Sequence, residues 1–301
     1  MAVGKGLRRL SEVWCALVCA AALATAVPAE ADTPPELGPW RFERHTVGIF
    51  TRSQGIATDP DEPGVTLYSW QLGLEWSGPG GHAFRRLMGT PLQLLLDGYL
   101  HIGDVDSHGG LAYIPYENSG KGTEKAYGVI DLASGRVLRW SVHPLDAGEA
   151  YNNSWVSVSP DGRWLVSGEW EDMTSLLVFA TADVGRPSIE TAFRVRLDAP
   201  LSYVQGCDFY SAVRLVCHDD TDDRRLLQID LDHPLDGADV GSHTVVLGST
   251  PVDLAVPLLA NICRFATEAE GVDVSGSTLR FMTVDPCLLW SHEYVYTLAE
   301  P

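Results

Sequence analysis

The chain has 301 residues, 45% hydrophobic and 20% charged, with 29 glycines and 18 prolines, which is enough apolar material for a core and too much for an intrinsically disordered protein. Its formal net charge of −19 repels phosphate backbones and anionic lipid, which argues against nucleic acid and membrane surfaces as partners. Cations and neutral ligands remain open.

The chain starts as an export signal. Lys5, Arg8 and Arg9 precede an apolar run from Val13 to Val27, and Ala29-Glu30-Ala31 forms a small-residue cleavage site before Asp32. The run is short and alanine-rich for a bilayer anchor, so the expectation is cleavage after Ala31, with no membrane insertion afterwards. That leaves a single domain, 32–301, in a secreted or extracytoplasmic setting. Cys15 and Cys19 depart with the signal, and Cys207, Cys217, Cys263 and Cys287 remain, an even set that implies disulfides outside the cytoplasm. Cys207 and Cys217 sit on two strand-like runs joined by a turn at Tyr210-Ser211-Ala212, which suits a local bridge and leaves Cys263 for Cys287.

The mature chain repeats. Gln54-Gly55-Ile56-Ala57, Ile102-Gly103-Asp104-Val105-Asp106, Ser154-Trp155-Val156-Ser157-Val158, Gln205-Gly206-Cys207-Asp208-Phe209 and Glu270-Gly271-Val272-Asp273-Val274 recur at about 48, 52, 51 and 65 residues, the period of propeller blades. Each is followed by a turn and a second apolar strand, at Thr66–Tyr68, Leu111–Ile114, Arg163–Val166, Arg214–Cys217 and Thr278–Met282, with Gly and Pro between. The last repeat has room for only three strands, ending in Glu293–Leu298, whereas Trp40 to Phe50 reads as a strand without a partner. The expected fold is an all-β, five-bladed propeller in which that N-terminal strand closes the final blade and removes open sheet edges. A sixth blade would have to lie in Gly78–Leu100 or Leu235–Cys263. The apolar runs Pro91–Leu96 and Thr250–Leu259 are read as loop turns.

Val158-Ser159-Pro160-Asp161-Gly162-Arg163-Trp164-Leu165-Val166-Ser167 resembles the S-P-D-G hairpin of secreted bacterial propellers of the TolB and WD type. The likeness covers one blade, and it implies the fold without implying an activity.

In a propeller the first strands line the axis, so residues at their starts converge. This selects Gln54, His101, Gln205 and Glu270, with Asp104 and Asp106, as candidate ligand-binding residues for a small polar ligand or an extracellular protein. Strand alternation would put Asp104 and Asp106 on one face with His108 continuing it, a donor set for a cation such as calcium. The competing reading is structural: acidic side chains at blade turns bond to the backbone of the next strand. A hydrolase is the alternative function, with Asp104, Asp208 and Glu270 dividing acid and base roles, and Trp70 and Trp170 could stack on a sugar near the mouth. No G-x-S-x-G elbow, phosphate loop or H-E-x-x-H motif is present.

Overall fold

In the computed structural model, the described residues are 37–59, 64–118, 122–145, 149, 152–221, 224–249, 267–285 and 290–299. The signal segment, Cys263, Cys287 and the run 250–259 lie outside them. All the described residues belong to one unit, Pro34–Val252 with Phe265–Pro301.

The runs rich in β-branched and aromatic residues fold as strands, in sheets that read outward from their inner strands. The first sheet orders β2 (Gly55–Thr58), β3 (Thr66–Trp70), β4 (Gly73–Ser77) and β5 (Ala83–Met88). The second has β6 (His101–Ile102) and β7 (Asp106–His108) both paired to β8 (Leu111–Glu117), then β9 (Glu124–Asp131) and β10 (Val137–Pro144). The third runs β11 (Ser157–Val158), β12 (Trp164–Ser167), β13 (Met173–Ala180) and β14 (Phe193–Leu201). The fourth runs β15 (Val204–Ser211), β16 (Arg214–Asp219), β17 (Arg225–Leu231) and β18 (Val240–Ser249), and a short parallel pairing of β14 with β18 joins the two at their outer edges. The last sheet holds β19 (Glu268–Ser275), β20 (Thr278–Asp285) and β21 (Trp290–Leu298). Its outer strand is β1 (Trp40–Ile49), paired antiparallel to β21 from Trp40↔Leu298 to Ile49↔Trp290. The N-terminal strand therefore completes the C-terminal sheet, as its lack of a local partner predicts.

Within each sheet the neighbours are antiparallel, and the inner strands contact one another in a closed cycle: β2 with β7, β7 with β11, β11 with β15, β15 with β19, and β19 with β2. Sheets radiating from such a ring define an all-β propeller. Apolar side chains pack between successive sheets. Trp76, Ile102 and Ile114 join the first to the second, Tyr127, Val156 and Phe179 the second to the third, and Val178, Leu215 and Ile229 the third to the fourth. The Cys207–Cys217 disulfide bridges directly paired residues of β15 and β16 and is buried in that last cluster, where the local bridge was expected. The S-P-D-G segment forms the turn from β11 to β12; Gly162 adopts φ +71°, a left-handed conformation that costs glycine nothing, and Asp161 caps the turn by accepting from the Arg163 amide. The run after Pro91 is a short helix, α1 (Leu92–Leu96), rather than an irregular turn. Among the described residues no helix is long and apolar enough to cross a membrane.

Candidate functional site

The axis is closed by one side chain. Asp104 is buried, and its carboxylate accepts from the Ile56 amide at 3.0 Å and the Val272 amide at 3.1 Å, on two other inner strands. A Cβ placed on Gly55, Gly206 or Gly271 would stand 2.6, 2.4 or 2.3 Å from its oxygens, so only glycine lets three strands approach it. Burial raises its carboxyl well above the usual carboxylate range, with the two amides pulling the other way.

Toward the ends of the inner strands the carboxylates clasp neighbouring sheets. Asp59 accepts from the Gly110 amide at 2.6 Å, Asp106 from Val158 at 2.5 Å, Asp208 from Val274 at 2.6 Å and Asp273 from Thr58 at 2.5 Å. Each bond runs from one sheet to the following one, so each carboxylate does structural work. Burial, partly offset by amide bonds and reinforced by Asp273, pushes Asp106 up to about 7; burial and the Asp106 and Asp273 carboxylates likewise raise Asp208.

At the other end, where the inner strands begin, side chains bond to one another. The His101 ring lies 3.3 Å from Glu117 through Nδ1 and 2.5 Å from Gln54 Oε1 through Nε2, and Gln54 Nε2 donates to Glu270 Oε1 at 3.5 Å. Glu117 stands directly across from His101 in the β6–β8 register. The backbone holds the arrangement: the Gly271 amide donates to the Gln54 carbonyl at 3.0 Å, and His218 Nδ1 donates to the Glu270 carbonyl at 3.1 Å. Burial brings His218 down to about 4, which keeps it a neutral donor. Gln54, His101, Ser53, Gln71, Glu268 and Phe50 line a cavity of about 300 Å³ above this chain. Burial, with the Glu268, Asp220 and Asp104 carboxylates nearby, raises the Glu270 carboxyl well above its ordinary range and favours its protonated form.

Of the residues selected by sequence, the structure brings together Gln54, His101 and Glu270. Gln205 neither joins the chain nor lines the cavity. Asp104, Asp106 and His108 are not gathered round one point. The strand breaks between β6 and β7, so the alternation that would align them is lost: Asp104 faces Ile56 and Val272, Asp106 faces Val158, and the His108 ring lies over Gly162. Their oxygens are spent on amides and do not fit a calcium ion; among the described residues no cluster of His, Cys, Asp and Glu is arranged for a metal. Trp70 covers Gly73 and Trp170 stacks edge-on against Tyr203, both away from the cavity. Sequence reasoning missed Gln71, Ser53 and Glu268 as lining residues. Gln71 is brought in by its carbonyl, which accepts from the Ile102 amide at 2.9 Å, a contact between sheets that no local pattern reports.

Fold and site together define a β-propeller with a polar cavity at one end of its axis. No protein-family model and no curated protein matches the sequence. Among solved structures, the chain is similar to a protein of unknown function from Bacteroides caccae, at 10% identity and TM-score 0.44, covering 76% of this chain and 69% of that one. It is also similar to the β-propeller domain of Cps50 (Swd1) from Myceliophteria thermophila, at 10% identity and TM-score 0.46, covering 82% of each.

Proposed function

We propose that the protein is a secreted five-bladed propeller that binds a small polar ligand at the mouth of its axis. The cycle of five inner strands supports the blade count, and the buried Cys207–Cys217 bridge supports export to an oxidising compartment, with Cys263 and Cys287 as the second pair. The observation that carries the binding reading is the bonded chain Glu117–His101–Gln54–Glu270 beneath a 300 Å³ cavity. Concave sites with a few convergent polar groups suit small molecules better than protein faces, and the amides of Gln54 and Gln71 with the imidazole of His101 suit a neutral hydroxyl- or amide-bearing ligand. A hydrolase using Asp104, Asp208 and Glu270 would need all three at one cavity, whereas Asp104 is enclosed by glycines and Asp208 is bonded to Val274 and Phe209.

The test is a thermal-shift survey of neutral sugars, polyols and amino acids on the mature protein and on Gln54→Leu. At least one compound at about 100 times its Kd should stabilise the wild type by about 2.7 kcal/mol and leave the variant unmoved. A survey that moves neither protein, or moves both alike, overturns the reading.

A further inference from the structure

The seam where the last sheet meets the first is packed differently from the junctions between the first four sheets. Those junctions are filled with apolar clusters. Across the seam, the buried apolar contact among the described residues is Ile56, Tyr68 and Met282, and the remainder is polar. Arg280 of β20 bonds Asp273 of its own sheet and reaches across to the hydroxyls of Thr58 and Thr66, and the Tyr68 hydroxyl donates to Glu293 at 2.9 Å. Two cavities of about 840 and 590 Å³ open here and share Arg44, Gly64, Thr66 and Arg280, so they form one groove along the seam.

The charge along this groove runs against that of the chain. Arg41 pairs with Glu43, Arg280 with Asp273, and Arg52 with Glu75. Glu75 is also claimed by Arg86, so one carboxylate serves two guanidiniums. Arg44 is exposed on β1, lines both cavities, and has no hydrogen-bond or ion-pair partner among the described residues. Both acids on the groove are already held by hydroxyl donors: Glu293 by Tyr68 and by Thr46 at 3.3 Å, and Glu43 by Thr297 at 2.6 Å. Around the Arg44 side chain the walls carry the hydroxyls of Thr58, Thr66, Ser275, Ser277, Thr278 and Thr297.

We propose that this seam groove is a second binding site, separate from the axial mouth, for an acidic oligosaccharide. A carboxylate on the sugar is held by Arg44, whose fork-shaped guanidinium presents two parallel donors, and the sugar hydroxyls bond to the Ser and Thr walls. The two joined cavities, of about 840 and 590 Å³, have room for a chain of several sugar units. A lining of hydroxyls without deep apolar pockets suits a sugar surface better than the side chains of an acidic peptide.

The experiment is calorimetric titration of the mature protein with tetragalacturonate, neutral maltotetraose, a short polyglutamate and sodium sulfate, repeated on Arg44→Ala and on Gln54→Leu. Tetragalacturonate should bind, more weakly as salt rises, with at least tenfold loss in Arg44→Ala and no change in Gln54→Leu. Because Arg44 is exposed and has no partner among the described residues, its removal leaves the fold intact, which circular dichroism checks. Failure of tetragalacturonate to bind, or equal affinity in Arg44→Ala, overturns the site. Equal binding of maltotetraose, polyglutamate or sulfate overturns the assigned ligand class. Loss in Gln54→Leu instead of Arg44→Ala would move the sugar to the axial mouth and end the proposal.

Discussion

The two ends of the propeller axis use the same residue types for different ends. Where the inner strands finish, Asp106, Asp208 and Asp273 each give an oxygen to the amide of a following sheet. Where they begin, Glu117, His101, Gln54 and Glu270 bond side chain to side chain, and Gln54 and His101 border a cavity. A carboxylate that satisfies backbone is part of the scaffold, because its removal strands a buried donor. One that bonds only to other side chains can exchange those partners for a ligand at little cost. Burial and a raised pKa occur at both ends, so neither property distinguishes a site here; the identity of the bonding partner does.

That distinction can be broken first at the axis itself. Asp104→Ala leaves the Ile56 and Val272 amides buried without an acceptor and should cost about 3–5 kcal/mol, measured by urea denaturation. Gly271→Ala attacks the same place from the other side, since its Cβ would fall 2.3 Å from Asp104 Oδ1 and 2.7 Å from the Gly55 Cα; overpacking against backbone should cost about 1–3 kcal/mol or more. Asp208→Ala, which frees the Val274 amide, should cost about 1–3 kcal/mol. If Gln54→Leu at the mouth proved as damaging as Asp208→Ala, the two ends would not differ and the comparison would fail.

The pH dependence sharpens it. Asp106 sits at about 7 when folded, above the ordinary value of about 3.9. Between those values the folded chain holds a proton that the unfolded chain has lost, so stability from this group is present at low pH and declines as pH rises from about 4 to about 7. His218 and His292 act oppositely: burial brings both down to about 4, and stability is lost as pH falls from about 6.5 toward 4. Asp106→Asn removes the first slope and leaves the second. Relative to wild type, the variant should therefore gain stability steadily as pH rises from about 4 to about 7, and a constant difference would contradict the raised value.

Much of this architecture is legible before any coordinates. The repeat period gives the inner strands, because a residue that must lie beside the axis in every blade recurs at blade spacing, and the unpaired run at Trp40 gives the closing strand. The Cys207–Cys217 bridge is legible because a hairpin fixes register locally. The role of Asp104 is not: a two-residue alternation places it with Asp106 only while the strand continues, and the break between β6 and β7 turns it into the glycine cage. Convergence at the mouth is half legible. Gln54 and Glu270 share a position before glycine, yet Gln205 shares it too and makes no such bond. The seam groove is invisible in sequence, since it depends on what two sheets from opposite ends of the chain fail to bury between them.

The smallest expected effect lies at Glu270. Its carboxyl is raised by burial and by the Glu268, Asp220 and Asp104 carboxylates, so the folded protein holds it in the neutral form that glutamine imitates. Glu270→Gln should change stability by less than about 1 kcal/mol near pH 4.5, where the wild-type side chain is neutral in the fold and the amide keeps the acceptor oxygen for Gln54. Above that pH the unfolded wild type releases its proton while the folded state resists, so the wild type loses stability and the variant does not. The difference between them should drift in favour of Glu270→Gln as pH rises. A variant that instead becomes the weaker protein at neutral pH would mean that donors hold Glu270 as a carboxylate, and the mouth would then be scaffold too.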